Sequence, residues 1–269
     1  MKVLVTGASG FIGSYLAKQL SYYDVHAPTS KELDLTDRQA VVEYCFSHKF
    51  DTIVHCAAVG RDTPRRVDNQ ILSDNLSMFV NLAQCRESFG RLINFSSGAD
   101  FCIDLSLDCV SENELEQYVP VHSYGLSKNI TARLAKNIDK CYNVRLFSVI
   151  DKSESENRLL KRFISHVKEG KQFTLKDDRY VDFFSLADTF KVIESYIEDE
   201  PYNTDVNLVY LKKYKVSDIL EMYCKIHGID TDSYMVESQS LINYIGNGEL
   251  LCKEKFRLDG IIKTLESYT

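Results

Sequence analysis

Tyr124-Gly125-Leu126-Ser127-Lys128 sets a phenol and an ammonium four residues apart, so that on a helix both side chains share one face. A free tyrosine, with a pKa of roughly 10, is a poor acid–base catalyst near neutrality. A cation beside it favours the phenolate and lets the phenol lose or regain a proton closer to physiological pH. Ser97 closes the apolar run Leu92-Ile93-Asn94-Phe95-Ser96-Ser97 and can hydrogen-bond the same substrate oxygen. A tyrosine and lysine at this spacing, standing alone, also fit a solvated helix face. A second group lies at the start of the chain, where Gly7, Gly10 and Gly13 follow the short apolar run Val3-Leu4-Val5. Helical spacing then takes over through Phe11, Ile12, Tyr15, Leu16 and Leu20. Strand, glycine turn and helix in that order make an anion site, because uncovered N–H groups and the positive end of the helix dipole face the ligand. The spacing is G-x-x-G-x-x-G, not the commoner G-x-G-x-x-G.

The elements that must hold these groups read as alternating strands and helices. Strands are expected at Asp24–Ala27, Asp51–Ala58, Arg91–Ser97 and Asn143–Val149. The stretch Asp51–Ala58 is almost continuously apolar, as in a parallel sheet covered on both faces. Helices carry Val41, Val42, Cys45 and Phe46, with Thr36 or Asp37 as N-cap, then Ile71, Asn75, Phe79 and Leu82 after a loop from Arg61 to Asn69. A polar loop from Asp100 to Val119 leads to the helix of Tyr124 and Lys128. This pattern predicts an α/β fold, a doubly wound parallel sheet of Rossmann type with ligand at the carboxyl ends of its strands. Residues 1–150 form the dinucleotide-binding domain. Residues 151–269 mainly supply a smaller C-terminal substrate lobe, with segments around 180–211 returning to the first domain. The cleft between the two is the default substrate site.

The chain of 269 residues, 44% hydrophobic, is long enough for a large core. A net charge of −7 gives no basic footprint, so nucleic acid and anionic membrane surfaces are not expected partners. Eight cysteines without a C-x-x-C pair read as reduced thiols, several of them buried, and no metal site is expected. The first apolar run is too short for a signal peptide, and no stretch reaches the roughly 18 apolar residues of a membrane span. A cytoplasmic protein is expected.

Together these motifs resemble the extended short-chain dehydrogenases/reductases, specifically the nucleotide-sugar epimerase, dehydratase and ketoreductase group. The resemblance covers nearly the whole chain: the three glycines, Asp34-Leu35, His55-Cys56-Ala57-Ala58, Asn75, Ser96-Ser97, Tyr124 with Lys128, and Arg145-Leu146-Phe147. Further on, Asp182-Phe183-Phe184 with Asp188 is similar to the family's R-D-F-x-x-x-x-D segment, and Phe256 to Tyr268 to its closing helix. The resemblance implies a nicotinamide dinucleotide as cofactor. It makes Tyr124 the catalytic acid/base, Lys128 the binder of the nicotinamide ribose and Ser97 the partner of the substrate carbonyl, chosen over Ser96 because Phe101 follows four residues later. Asn75 supports the lysine through a water, or simply bonds to backbone as a helix asparagine. Gly7, Gly10, Phe11 and Ile12 line the pyrophosphate, Asp34 and Leu35 the adenine, Ala57 and Ala58 the adenosine ribose side, and Phe147 the nicotinamide pocket.

Departures from the family pattern narrow the chemistry. Gly98-Ala99 stands where dehydratases carry an Asp-Glu pair, and Ala99 where certain GDP-keto-sugar epimerases carry a cysteine. Hydride transfer at C4 of a nucleotide sugar remains, as a 4-ketoreductase or a 4-epimerase. Rival readings are a non-catalytic dinucleotide-binding regulator and a reductase of a non-sugar carbonyl. Ser148 and Val181 replace an asparagine and an arginine of the family pattern, and Arg158, Lys161, Arg162 and Arg179 are candidate diphosphate partners. No acid follows the second strand until Glu32, whereas Thr29, Ser30 and Lys31 suit a 2′-phosphate. The expected cofactor is therefore NADP, with NAD as the alternative. Relatives that pair through the helices of Asn75 and Tyr124 suggest a homodimer.

Overall fold

Val3 and Val5 point to one face of their strand and Leu4 to the other, and all three are completely buried. Such burial on both sides requires a sheet sandwiched between helix layers. The computed structural model, which describes residues 1–60, 68–201 and 203–268, shows that sandwich. Strand β1 (Lys2–Thr6), helix α1 (Phe11–Gln19), β2 (Asp24–His26), α2 (Arg38–His48), β3 (Phe50–His55), α3 (Asp68–Gln84) and β4 (Phe89–Ser97) come first. They are followed by β5 (Leu107–Val110), α4 (Ser123–Ala135), β6 (Cys141–Leu146), β7 (Ser148–Ile150), α5 (Leu159–Lys168), β8 (Phe173–Asp178), β9 (Phe183–Ser185) and α6 (Leu186–Glu198). The chain closes with β10 (Asp205–Leu208), α7 (Val216–His227), β11 (Tyr234–Gln239), β12 (Tyr244–Gly246), α8 (Glu249–Lys253) and α9 (Gly260–Glu266).

Six strands form the central parallel sheet in the order β10-β6-β4-β3-β1-β2. Leu16 and Leu20 of α1 pack with Val192, Ile193 and Tyr196 of α6 on the face presented by Val3, Val5 and Val144. Val41 and Cys45 of α2 pack with Phe79 and Leu82 of α3 on the face presented by Leu4, Ile53 and Leu92. The expected doubly wound parallel sheet is thus the observed fold. A further core joins Leu160 and Phe163 of α5 to Phe173 and Leu175 of β8, Ile219 and Tyr223 of α7, and Leu265 of α9.

Three expectations are revised. The fifth strand does not run unbroken from Asn143 to Val149: β6 stays in the sheet, Phe147 turns inward, and β7 pairs with β9 instead. The stretch from Asp100 to Val119 is not irregular, since it contains a 3-10 turn at Gly98–Phe101, strand β5 and another such turn at Glu112–Gln117. Strand β3 ends at His55, which leaves Ala57 and Ala58 in the following loop. Of the loop expected at Arg61 to Asn69, residues 61–67 lie outside the described residues, and α3 already begins at Asp68. All eight cysteines are unpaired; Cys109 and Cys252 are exposed, while Cys45, Cys85, Cys102, Cys141 and Cys224 are buried. Among the described residues no helix is long and apolar enough to cross a membrane, and no group of three or more His, Cys, Asp or Glu is placed to hold a metal.

Candidate active site

The glycine turn leaves the carboxyl end of β1 with Gly7 at φ +67°, a conformation unfavourable for any residue with a Cβ. A Cβ there would also lie 2.6 Å from the Ala57 nitrogen, so the two loops touch backbone to backbone. Gly10 caps α1, and the open N-terminal turn of that helix faces a cleft of about 330 Å³. Gly7, Gly10, Ser30, Asp34, Leu35, Ala57 and Ala58 all line this cleft. Phe11 and Ile12 pack against the core beneath it, and Lys31 is exposed and outside the lining. The Asp34 carboxylate accepts from the Thr36 nitrogen at 2.9 Å and so turns the chain toward α2, whose N-cap is Asp37. The Glu32 carboxylate is engaged by the Thr29 nitrogen at 2.7 Å and the Thr29 hydroxyl at 2.9 Å. Cys56, Asp74 and Met78 also line the cleft. Helical periodicity marks Met78 as inward-facing but gives no sign of a cleft.

At the carboxyl end of β4, Ser97 Oγ accepts from the Ala99 nitrogen at 3.2 Å. Tyr124 and Lys128 lie one turn apart at the start of α4, and the Tyr124 phenol is hydrogen-bonded with Ser97. Burial raises the Tyr124 pKa, the Ser97 hydroxyl lowers it, and the buried Asp100 carboxylate raises it again. The expected downward pull of the lysine is not what governs the phenol in the protein alone. Lys128 Nζ donates instead to the Phe95 carbonyl at 2.7 Å, and burial lowers its own pKa while Asp100 holds it up. Asn75, on α3, accepts from the Val59 nitrogen at 2.7 Å and donates to the Val59 carbonyl and Ser127 Oγ, each at 3.1 Å. Ser127 in turn donates to the Tyr124 carbonyl at 2.7 Å. Asn75 therefore braces the loop after β3 against the turn between tyrosine and lysine.

Sequence reasoning missed Asp100 and Tyr244 and saw Arg145 only as part of a strand. Asp100 is fully buried and accepts from the Ser97 nitrogen at 3.3 Å and from Arg145 Nε at 2.9 Å. The equally buried Arg145 guanidinium also meets Asp205 at 3.0 Å and stacks over the Phe101 ring at 4.8 Å. An arginine inside an otherwise apolar strand signals an internal acidic partner, but the sequence does not say which. Tyr244 arrives from β12 with its ring centroid 5.0 Å from that of Phe147 and its hydroxyl beside Ser97. No motif surrounds it.

A second cleft, of about 600 Å³, adjoins Phe147 through Ser148 and reaches into the C-terminal half. Arg158, Arg162, Arg179 and Lys176 line it, whereas Lys161 faces Glu156 at 3.5 Å and lines a different cavity. Arg158 is held by Glu154 at 3.4 Å and by the Val149 carbonyl at 2.6 Å. Val181 lines the same wall as Arg179, so a guanidinium is present there two positions before the expected one.

Fold and site together define a doubly wound α/β protein with Ser97 and the glycine turn at the carboxyl ends of its parallel strands. The chain belongs to the NAD dependent epimerase/dehydratase family, whose profile matches residues 3–208. It is 30% identical over 84% of its length to GDP-6-deoxy-D-talose 4-dehydrogenase of Aggregatibacter actinomycetemcomitans, covering 80% of that protein. It is 27% identical over 64% of its length to GDP-L-colitose synthase of Yersinia pseudotuberculosis, and the match spans 63% of that relative. Among solved structures, dTDP-4-dehydrorhamnose reductase from Bacillus anthracis in complex with NADP superposes with a TM-score of 0.82 at 20% identity, covering 99% of this chain and 96% of the other. A GDP-D-glycero-L-gluco-heptose synthase from Campylobacter jejuni gives 0.84 at 14% identity, with 99% and 96% covered.

Proposed function

We propose that this protein is an NAD(P)-dependent oxidoreductase of nucleotide sugars that transfers hydride at C4 of the sugar, as a 4-ketoreductase or a 4-epimerase. The observation that carries the reading is the Tyr124 phenol beside the Ser97 hydroxyl, with Lys128 one turn further along the same helix. The close backbone approach at Gly7 and the open end of α1 fit a dinucleotide pyrophosphate. The nicotinamide supplies or accepts the hydride when bound. In the reductive direction Tyr124 Oη gives its proton to the C4 oxygen, which becomes the alcohol. Ser97 holds that oxygen by a hydrogen bond, and Lys128 steadies the cofactor ribose. A cationic ring close to Tyr124 would draw its pKa down from the raised position that burial imposes.

Residues 151–269 supply most of the substrate lobe, and Arg158, Arg162 and Arg179 hold the diphosphate. Ser30 lines the adenosine end while Glu32 is occupied by Thr29, which favours NADP over NAD. The named relatives act on GDP-linked sugars, so GDP is the first nucleotide to test. The outer faces of α3 and α4 are the proposed homodimer contact. Gly98 and Ala99 carry no acid or thiol for dehydration or cysteine-dependent epimerisation.

The test is NADPH consumption with GDP-, dTDP-, UDP- and CDP-linked 4-keto-6-deoxy sugars, alongside interconversion of C4 epimers without net consumption. Turnover of one of them, abolished in Tyr124→Phe, supports the reading. Turnover that survives Tyr124→Phe, or thermal stabilisation by no nucleotide sugar, overturns it.

A further inference from the structure

Gly98 directly follows Ser97, and the space above it is taken by side chains from elsewhere in the chain. A Cβ on Gly98 would lie 2.5 Å from Phe147 Cδ1 and 2.7 Å from Tyr244 Oη. The phenol oxygen therefore sits where a side chain at position 98 would begin. Its ring is fixed: only 8% of Tyr244 is exposed, and its face is tilted against Phe147. Its backbone is fixed too. The Tyr244 nitrogen donates to the Tyr180 carbonyl at 2.9 Å, its carbonyl accepts from the Asp182 nitrogen at 3.1 Å, and β12 is zipped to β5. Two residues on, the Gly246 nitrogen donates to the Asp182 carboxylate at 2.8 Å. A phenol so constrained is a preorganised hydrogen-bonding group. Burial raises its pKa, so it remains an O–H donor throughout the neutral range.

Packing alone is served by a phenylalanine; the hydroxyl adds a donor beside the serine that meets the reacting oxygen. We propose that Tyr244 is a substrate-reading residue, its phenol donating to a hydroxyl on C3 of the sugar, next to the C4 carbonyl held by Ser97, so that the preferred substrate retains its 3-hydroxyl. The inference rests on the nucleotide-sugar reading above. Gly98 is then the counterpart of Tyr244: the residue after the catalytic serine lacks a side chain because the opposite strand provides one. A site built to bond a hydroxyl discriminates against the analogue without it, because the buried phenol is then left with Ser97 as its remaining partner.

The experiment is Tyr244→Phe, which keeps the ring and its packing on Phe147, assayed with a 4-keto-6-deoxy nucleotide sugar and its 3-deoxy counterpart. The wild type is expected to prefer the 3-hydroxy substrate by about tenfold or more in kcat/KM. In Tyr244→Phe that preference collapses to within about twofold, chiefly through a higher KM for the 3-hydroxy substrate, with NADPH affinity unchanged. An undiminished preference in the variant, or a wild type that favours the 3-deoxy sugar, overturns the proposal. A loss of NADPH affinity assigns Tyr244 to the fold and overturns it as well. Failure of the underlying reading looks different: the wild type binds NADPH but turns over neither sugar, and both proposals fall.

Discussion

Tyr124 and Ser97 set the sign of a measurable pH effect. The proposed reduction needs the phenol protonated, so kcat/KM is expected to be flat through neutrality and to fall as pH rises through the tyrosine pKa of the free enzyme. Burial holds that pKa up and the Ser97 hydroxyl pulls it down. Ser97→Ala should therefore lower kcat/KM and move its alkaline fall to higher pH, which a pH profile with a 4-keto sugar checks. Tyr124→Phe should cost about 10²- to 10⁴-fold in kcat while NADPH binding persists. Tyr124, Lys128 and Ser97 were legible because the first two share one helix turn and the third ends an apolar run. Asp100 was not legible, since its meaning depends on Arg145, which only the sheet brings to it at 2.9 Å.

Arg145 connects β6 to the turn after β4 and to β10 through Asp100 and Asp205. Arg145→Met would leave Asp100 buried without its cation and Asp205 with Lys136 alone, at 3.5 Å, a loss of about 3–5 kcal/mol read by denaturant unfolding. Arg145→Lys should not restore it, because an ammonium cannot reproduce the planar fork. Asp182 anchors β12 through Gly246 and pairs with Lys213 at 2.8 Å. Burial lifts its pKa to about 6, against the opposing pull of Lys213. The folded state thus binds the proton more tightly than the unfolded chain, and this carboxyl's contribution to stability declines as pH rises from about 4 to 6. Asp182→Asn should show a shallower decline across that window in thermal unfolding. The strands of the central sheet were readable from continuous apolar runs, but β5, β11 and β12 were not. Tyr234–Gln239 is mostly polar and exposed and pairs along one edge only, while β12 is three residues long and gains its identity from β5, far away in sequence.

The whole molecule carries a net charge of −7, so attraction for the proposed anionic nucleotide sugar would have to be local. Arg162, exposed on α5 and lining the second cleft, is the simplest probe of that locality. Arg162→Ala should raise the KM for the nucleotide sugar by about tenfold, leave NADPH affinity unchanged and weaken the salt dependence of KM. The second cleft begins at Ser148, where the chain leaves the central sheet. The neighbouring Phe147 is covered by Tyr244, whose strand pairs with Leu107–Val110. This pairing fixes an order of events during synthesis. A nascent chain can lay down β1 to β6 and their helices, yet the wall beside Ser97 closes only once β12 has emerged and paired with β5. On the proposed function, the cofactor cleft is therefore complete before the wall beside Ser97, and the pairing of β12 is the step that finishes the reaction site.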